Sequence, residues 1–100
     1  MSRYQLSEDA AEDLAGIAEY IAADEPSAAE RVVEKFTDAF SKLAENPGMG
    51  HRREDLTPQP VRFWRVYSYL IIYQPETQPL AVARVLHASR DLHFLLAGTG

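Results

Sequence analysis

The run Tyr69-Leu70-Ile71-Ile72-Tyr73 is the feature that most narrows the folds open to this chain. Its β-branched and aromatic residues suit a pleated strand, and alternation puts Leu70 and Ile72 on one side and Tyr69, Ile71 and Tyr73 on the other. Both sides are apolar, so the strand belongs in the middle of a sheet that is covered twice. A chain of 100 residues makes one small domain, and that domain must supply two covering layers from its own length or borrow one.

Strand-like runs flank this segment, "VRFWRVY" at 61–67 and "LAVARVLH" at 80–87, separated from it by Ser68 and by "QPETQP". The three form a meander. Upstream the period changes from two to that of a helix. Tyr4 to Leu6 reads as a short first strand. Ser7 then caps a helix over roughly 8–23, with Glu8 and Asp9 placed against the positive end of its dipole and a stripe of Leu14, Ile17, Ala18 and Ile21.

Glu25 precedes Pro26 and is pushed out of helix geometry, while Ser27 and Glu30 have the spacing of a capping box, so a second helix starts there. Its stripe runs Ala29, Val32, Val33, Phe36, Phe40 and Leu43, and "NPG" at 46–48 stops it. The short connection makes the helices an antiparallel hairpin. Residues 49–60, "MGHRREDLTPQP", lack periodicity and read as a surface loop. Leu92, Phe94, Leu95 and Leu96 close the chain as a short apolar tail or helix.

The whole is an α+β domain over 1–100: an N-terminal strand, a helix hairpin and a small, mainly antiparallel sheet. The hairpin covers one face of the sheet, and only the tail after Asp91 remains for the other. Apolar surface is therefore expected to be left over, together with an unpaired sheet edge, and both invite a protein partner.

Composition excludes several kinds of chemistry. No cysteine is present, so disulfides, thiolate zinc sites and a cysteine nucleophile are ruled out. The longest apolar stretch falls far short of the roughly 20 residues that cross a bilayer, and the N-terminus lacks a signal peptide's hydrophobic segment, so a cytoplasmic location without membrane contact is expected. The net charge is −5, distributed as −7 over residues 1–50 (11 acids, four bases) and +2 over residues 51–100 (four acids, six arginines). A protein built to grip a phosphate backbone is usually basic overall.

The stretch "RVLHASRD" at 84–91 gathers the most chemistry. A histidine beside arginines serves general acid–base catalysis, and RNA cleavage through the ribose 2′-OH would need Arg65, Arg84 and His87 to converge. The plainer reading makes His87 a hydrogen-bonded strand-end residue and pairs Asp91 with an arginine. His51, His87 and His93 lack ligand spacing, so no metal is expected, and no cofactor motif or glycine-rich phosphate loop occurs. Ser27 is a cap rather than a nucleophile. Phe63, Trp64 and the tyrosines at 67, 69 and 73 alternate with Arg62 and Arg65; they could stack on bases but suit a core or a protein interface better.

The element order, with "LAGIAEYI" at 14–21, "LAENPGMG" at 43–50, "YLIIY" at 69–73 and "RVLHASRD" at 84–91, resembles the ParE toxins of the RelE/ParE superfamily over nearly the whole chain. The resemblance implies the toxin of a type II toxin–antitoxin pair, involved in plasmid stabilization, neutralised by a ParD-like antitoxin and open to higher-order toxin–antitoxin assembly. Characterised ParE toxins poison DNA gyrase by binding; RelE-type relatives are ribosome-dependent mRNA endonucleases. The acidic chain points to gyrase and away from an enzyme. The alternatives are the nuclease, with Arg65, Arg84 and His87 catalytic, and a non-toxic module that only binds antitoxin. Expected target-binding residues are Arg62, Arg65, Arg84 and Arg90, and expected antitoxin-binding residues are Trp64, Tyr69, Ile71 and Tyr73.

Overall fold

The computed structural model describes residues 3–89. Strand β1 (Tyr4–Leu6) leads into helix α1 (Glu8–Ala22), and three residues connect it to α2 (Pro26–Glu45). A 3₁₀ turn at Pro47–Met49 follows, then β2 (Arg62–Val66), β3 (Tyr69–Gln74) and β4 (Leu80–His87). The sheet order is β1-β4-β3-β2, with β1 parallel to β4 and the other pairs antiparallel. This is the expected α+β arrangement with its meander and a central two-faced strand.

Both faces of β3 are enclosed. Ile71 and Tyr73 join Val82 and Val85 beneath Phe36, Phe40 and Leu43 of α2 and Ala10 of α1. Leu70 and Ile72 join Phe63, Leu86 and Val61 in a second cluster, against which Leu56 and Ala88 pack. The expectation of leftover apolar surface on the sheet is thereby corrected, since all five residues of the second cluster are buried. The segment after the 3₁₀ turn accounts for part of the cover. His51 exchanges backbone hydrogen bonds with Phe63 (2.9 and 2.8 Å), and Thr57 is buried. The apolar tail at 92–96 lies outside the described residues.

Two local boundaries differ from the sequence reading. Helix α2 begins at Pro26 with Glu25 as N-cap, and the Ser27 hydroxyl meets the Glu25 carboxylate at 3.4 Å. No capping box forms there, because proline's preset φ and missing N–H suit the first helical position. Strand β2 stops at Val66, so Tyr67 belongs to a two-residue turn with Ser68.

Tyr73 fastens the 3₁₀ turn to the sheet from inside the core. Its hydroxyl donates to Pro47 O (2.7 Å) and accepts from Gly50 N (2.9 Å), while Arg62 Nη1 donates to Gly50 O (2.8 Å). Gly50 is there for space: a Cβ would lie 2.5 Å from the Tyr73 hydroxyl and 2.9 Å from Phe63 O. Burial pushes the Tyr73 phenol above its ordinary range.

Tyr73→Phe is expected to lower stability by about 1–3 kcal/mol in urea denaturation, because the buried Gly50 N–H loses its acceptor. The raised phenol has a pH consequence. The folded state holds its proton to higher pH than the unfolded chain, so this contribution is complete below pH 10 and is lost as pH rises through the folded value. Denaturation midpoints measured across that range should fall less steeply for Tyr73→Phe than for the parent.

Candidate functional site

The chemistry-bearing residues lie on β2, β3 and β4 and on the helix beside them. Pairing between β1 and β4 ends at Leu6 and Val82. Ser7 then turns the chain into α1 while tied to β4: its N–H donates to Val82 O (3.0 Å), its hydroxyl donates to Ala83 O (2.7 Å), and its Oγ accepts from Ala10 N (2.9 Å). From that corner α1 runs along the part of β4 that β1 leaves open.

Asp13 closes the opening. Its carboxylate accepts the Val85 backbone N–H (3.0 Å) and two bonds from Arg84, at Nε (2.8 Å) and Nη2 (3.0 Å). The Asp13 side chain is 16% exposed and that of Arg84 37%. An acid at a sheet edge would ordinarily be a loss; here it meets a fork of charge-assisted donors and an edge N–H that would otherwise be unpaired. The sequence reading passed over Asp13. The signal was available, since it sits three residues after Ala10 and four before Ile17, on the side of α1 that faces the sheet.

The three residues of the nuclease alternative do not gather. Arg84 stands opposite Ile72 and its guanidinium is held by Asp13. Arg65 stands opposite Leu70, on that same side of the sheet, and its Nε donates to Tyr67 O (2.8 Å). His87 stands opposite Tyr69, and alternation sends it to the other side. There its ring meets Tyr69 edge-on at 5.4 Å, and Tyr69 meets Phe36 of α2 at 5.9 Å. His87 Nδ1 lies 3.2 Å from Ser89 N and 3.1 Å from its hydroxyl, which fits the plainer strand-end reading.

The remaining expected residues separate by burial. Ile71 and Tyr73 are completely enclosed and present no surface to an antitoxin. Trp64 and Tyr69 are half-buried at the margin of the helix-covered core. Arg62 holds Gly50 O, Arg65 is exposed beside the β2–β3 turn, and Arg90 lies outside the described residues. Beside Tyr69, a cleft of about 340 Å³ opens between α1 and the sheet, lined by Asp13, Gly16, Ile17, Tyr20, Tyr69 and Val85. Tyr20 is 70% exposed. Among the described residues no group of three or more His, Asp or Glu side chains could hold a metal ion, and no helix is long and apolar enough to cross a membrane.

A helix hairpin on a mixed four-stranded sheet, with the part of β4 beyond β1 closed by a helix-borne carboxylate, is a small α+β domain with a ParE-like fold. The model of the ParE toxin of type II toxin–antitoxin systems (parDE) matches residues 4–92, and the chain belongs to that family. A solved structure, the chromosomal ParDE toxin–antitoxin system of P. aeruginosa, is similar in fold: TM-score 0.71 at 20% identity, covering 89% of this chain and 97% of that one. No curated protein matches the chain.

Asp13→Ala is expected to lower stability by about 2 kcal/mol in urea denaturation, and Arg84→Ala by less, because Asp13 also satisfies the Val85 N–H while water can reach the part-buried Arg84 guanidinium and take over some of its bonds. Equal losses in the two variants would mean that the ion pair alone matters.

Proposed function

We propose that this protein is the toxin of a type II toxin–antitoxin pair, that it acts by binding DNA gyrase and stabilising its cleaved DNA complex, and that a ParD-like antitoxin neutralises it. The family match over residues 4–92 carries the reading. Two observations support binding over RNA cleavage. Arg84 is committed to Asp13, and His87 stands on the opposite side of the sheet from Arg65 and Arg84. A general acid and the cations that stabilise a phosphorane must reach one phosphate, which placement on opposite sides of a sheet disfavours.

The antitoxin is proposed to lie in the cleft between α1 and the β3–β4 end of the sheet. Ile17 and Tyr69 in its lining suit the apolar stripe of an amphipathic segment, and the exposed Glu12 beside them suits a basic side chain on the same segment. Of the residues expected from sequence, Trp64 and Tyr69 stay in this role, while Ile71 and Tyr73 support it from the core. Arg65 stays as a target contact. The proposed site of action is the cytoplasm, where gyrase and its DNA are found.

Adding the purified protein in excess to gyrase and supercoiled plasmid should accumulate linear DNA, and unchanged supercoiling would overturn the gyrase reading. Codon-biased cuts in a translating extract, abolished by His87→Ala, would establish the nuclease instead. Normal growth on induction without antitoxin would leave only a binding module. Tyr69→Ala is expected to weaken antitoxin binding by tenfold or more, as truncating a central aromatic anchor does.

A further inference from the structure

We propose that the β2–β3 turn is a preformed contact for the toxin's protein target, with the Tyr67 ring as the group that enters a pocket of the partner and Arg65 as the charge beside it. This deepens the gyrase reading above and rests on it. The argument begins with the backbone. Among the described residues Tyr67 is the only non-glycine residue with positive φ, at 54°. It is the first of two residues joining strands whose last pair is Val66 with Tyr69. A two-residue connection between antiparallel strands demands a left-handed conformation at that position, and glycine, asparagine or aspartate adopts it most readily. A tyrosine there is strained.

Among the described residues nothing compensates. The Tyr67 side chain is 59% exposed and belongs to neither core cluster, so its ring adds little packing in return. A large aromatic group at an exposed, strained turn is explained if it acts outside the molecule. The turn is also held in place. Arg65 Nε donates to Tyr67 O at 2.8 Å, and Ala88 N donates to Ser68 O at 2.8 Å, which ties the tip to the end of β4. Strand addition is not the mode of contact here, because His51 already pairs with Phe63 on the outer side of β2.

The chemistry selects a protein rather than a nucleic acid. Among the described residues no acceptor meets the two terminal nitrogens of Arg65, so the tip presents a phenol ring and a guanidinium with donors to spare. That pair fits an apolar pocket with a carboxylate on its rim, and tyrosine and arginine are the residues that most often dominate protein interfaces. A phosphate backbone would need several cations together. Arg62 and Arg84 are instead held by Gly50 O and Asp13, and the chain carries a net charge of −5.

The test is Tyr67→Asn, which suits the turn and removes the ring, with Tyr67→Phe keeping ring and strain. Tyr67→Asn is expected to raise Tm by about 4 °C. It should also need at least tenfold more protein than the parent to linearise plasmid with gyrase, and should fail to arrest growth, while antitoxin binding stays within about threefold. Tyr67→Phe should behave as the parent. Full gyrase activity in Tyr67→Asn, or activity lost equally in Tyr67→Phe, would overturn the proposal, as would a Tm no higher than the parent's. Weakened antitoxin binding would assign the turn to the antitoxin, and weakened binding to bare duplex DNA in a fluorescence anisotropy titration would assign it to nucleic acid; either overturns the target contact. A parent protein without effect on gyrase would remove the functional reading itself, and this inference with it.

Discussion

Strand β3 has no side it can show to water, and the remaining architecture answers to that. Ile71 and Tyr73 face the helices, Leu70 and Ile72 face the second cluster, and all four are buried. Enclosing a side chain such as Ile71 contributes about 1.5–3 kcal/mol, so leaving either side open would remove a large part of a small domain's stability. The helix hairpin alone cannot meet this demand, because it lies against one face. The segment after Met49 does more than connect: it pairs with β2 through His51 and brings Leu56 against the other cluster.

Two open stretches of the sheet, the part of β4 beyond β1 and the outer side of β2, are limited by different devices. At β4 the pairing with β1 stops after three residues, and α1 takes over through Ser7 and Asp13. At β2 the His51 bridge occupies Phe63, and the charged Arg65 stands near the strand's end. Short, charged and partly bridged edges disfavour open-ended strand addition between copies of the chain. The same devices hold arginines whose spacing in the sequence suggests a binding surface. Arg84 completes the Asp13 closure and Arg62 braces Gly50, so much of the positive charge on the sheet serves the fold.

Among the described residues, two features stand out as surfaces for other molecules. One is the cleft beside α1, where Ile17, Tyr69 and Val85 lie alongside Glu12 and Tyr20. Another is the β2–β3 turn, where a strained tyrosine and a partly engaged arginine project from a tip anchored on two sides. The two differ in shape, concave against convex, and in charge. Distinct surfaces of that kind allow one chain to meet two partners by different contacts, as proposed above for the antitoxin and the target.

The order of elements, the helix stripes, the meander and the central position of β3 were legible in the sequence, because each depends on side-chain period and on the local chemistry of Ser7, Pro26, Pro47 and the turns. Family membership was legible for the same reason, in motifs spread along the chain. The roles of individual polar residues were not. Asp13 and Arg84 are 71 positions apart, and only the parallel return of β4 beside β1 brings that carboxylate to that guanidinium. Arg65, Arg84 and His87 look like one site in the sequence, yet alternation across a sheet sends His87 to the other side. Tyr67 read as the end of a strand until the register placed it in the turn. Local period follows from each residue and its neighbours; the partner of a charge, the cover over a face and the strain at a turn arise only when distant segments meet, and those were decided by the tertiary structure.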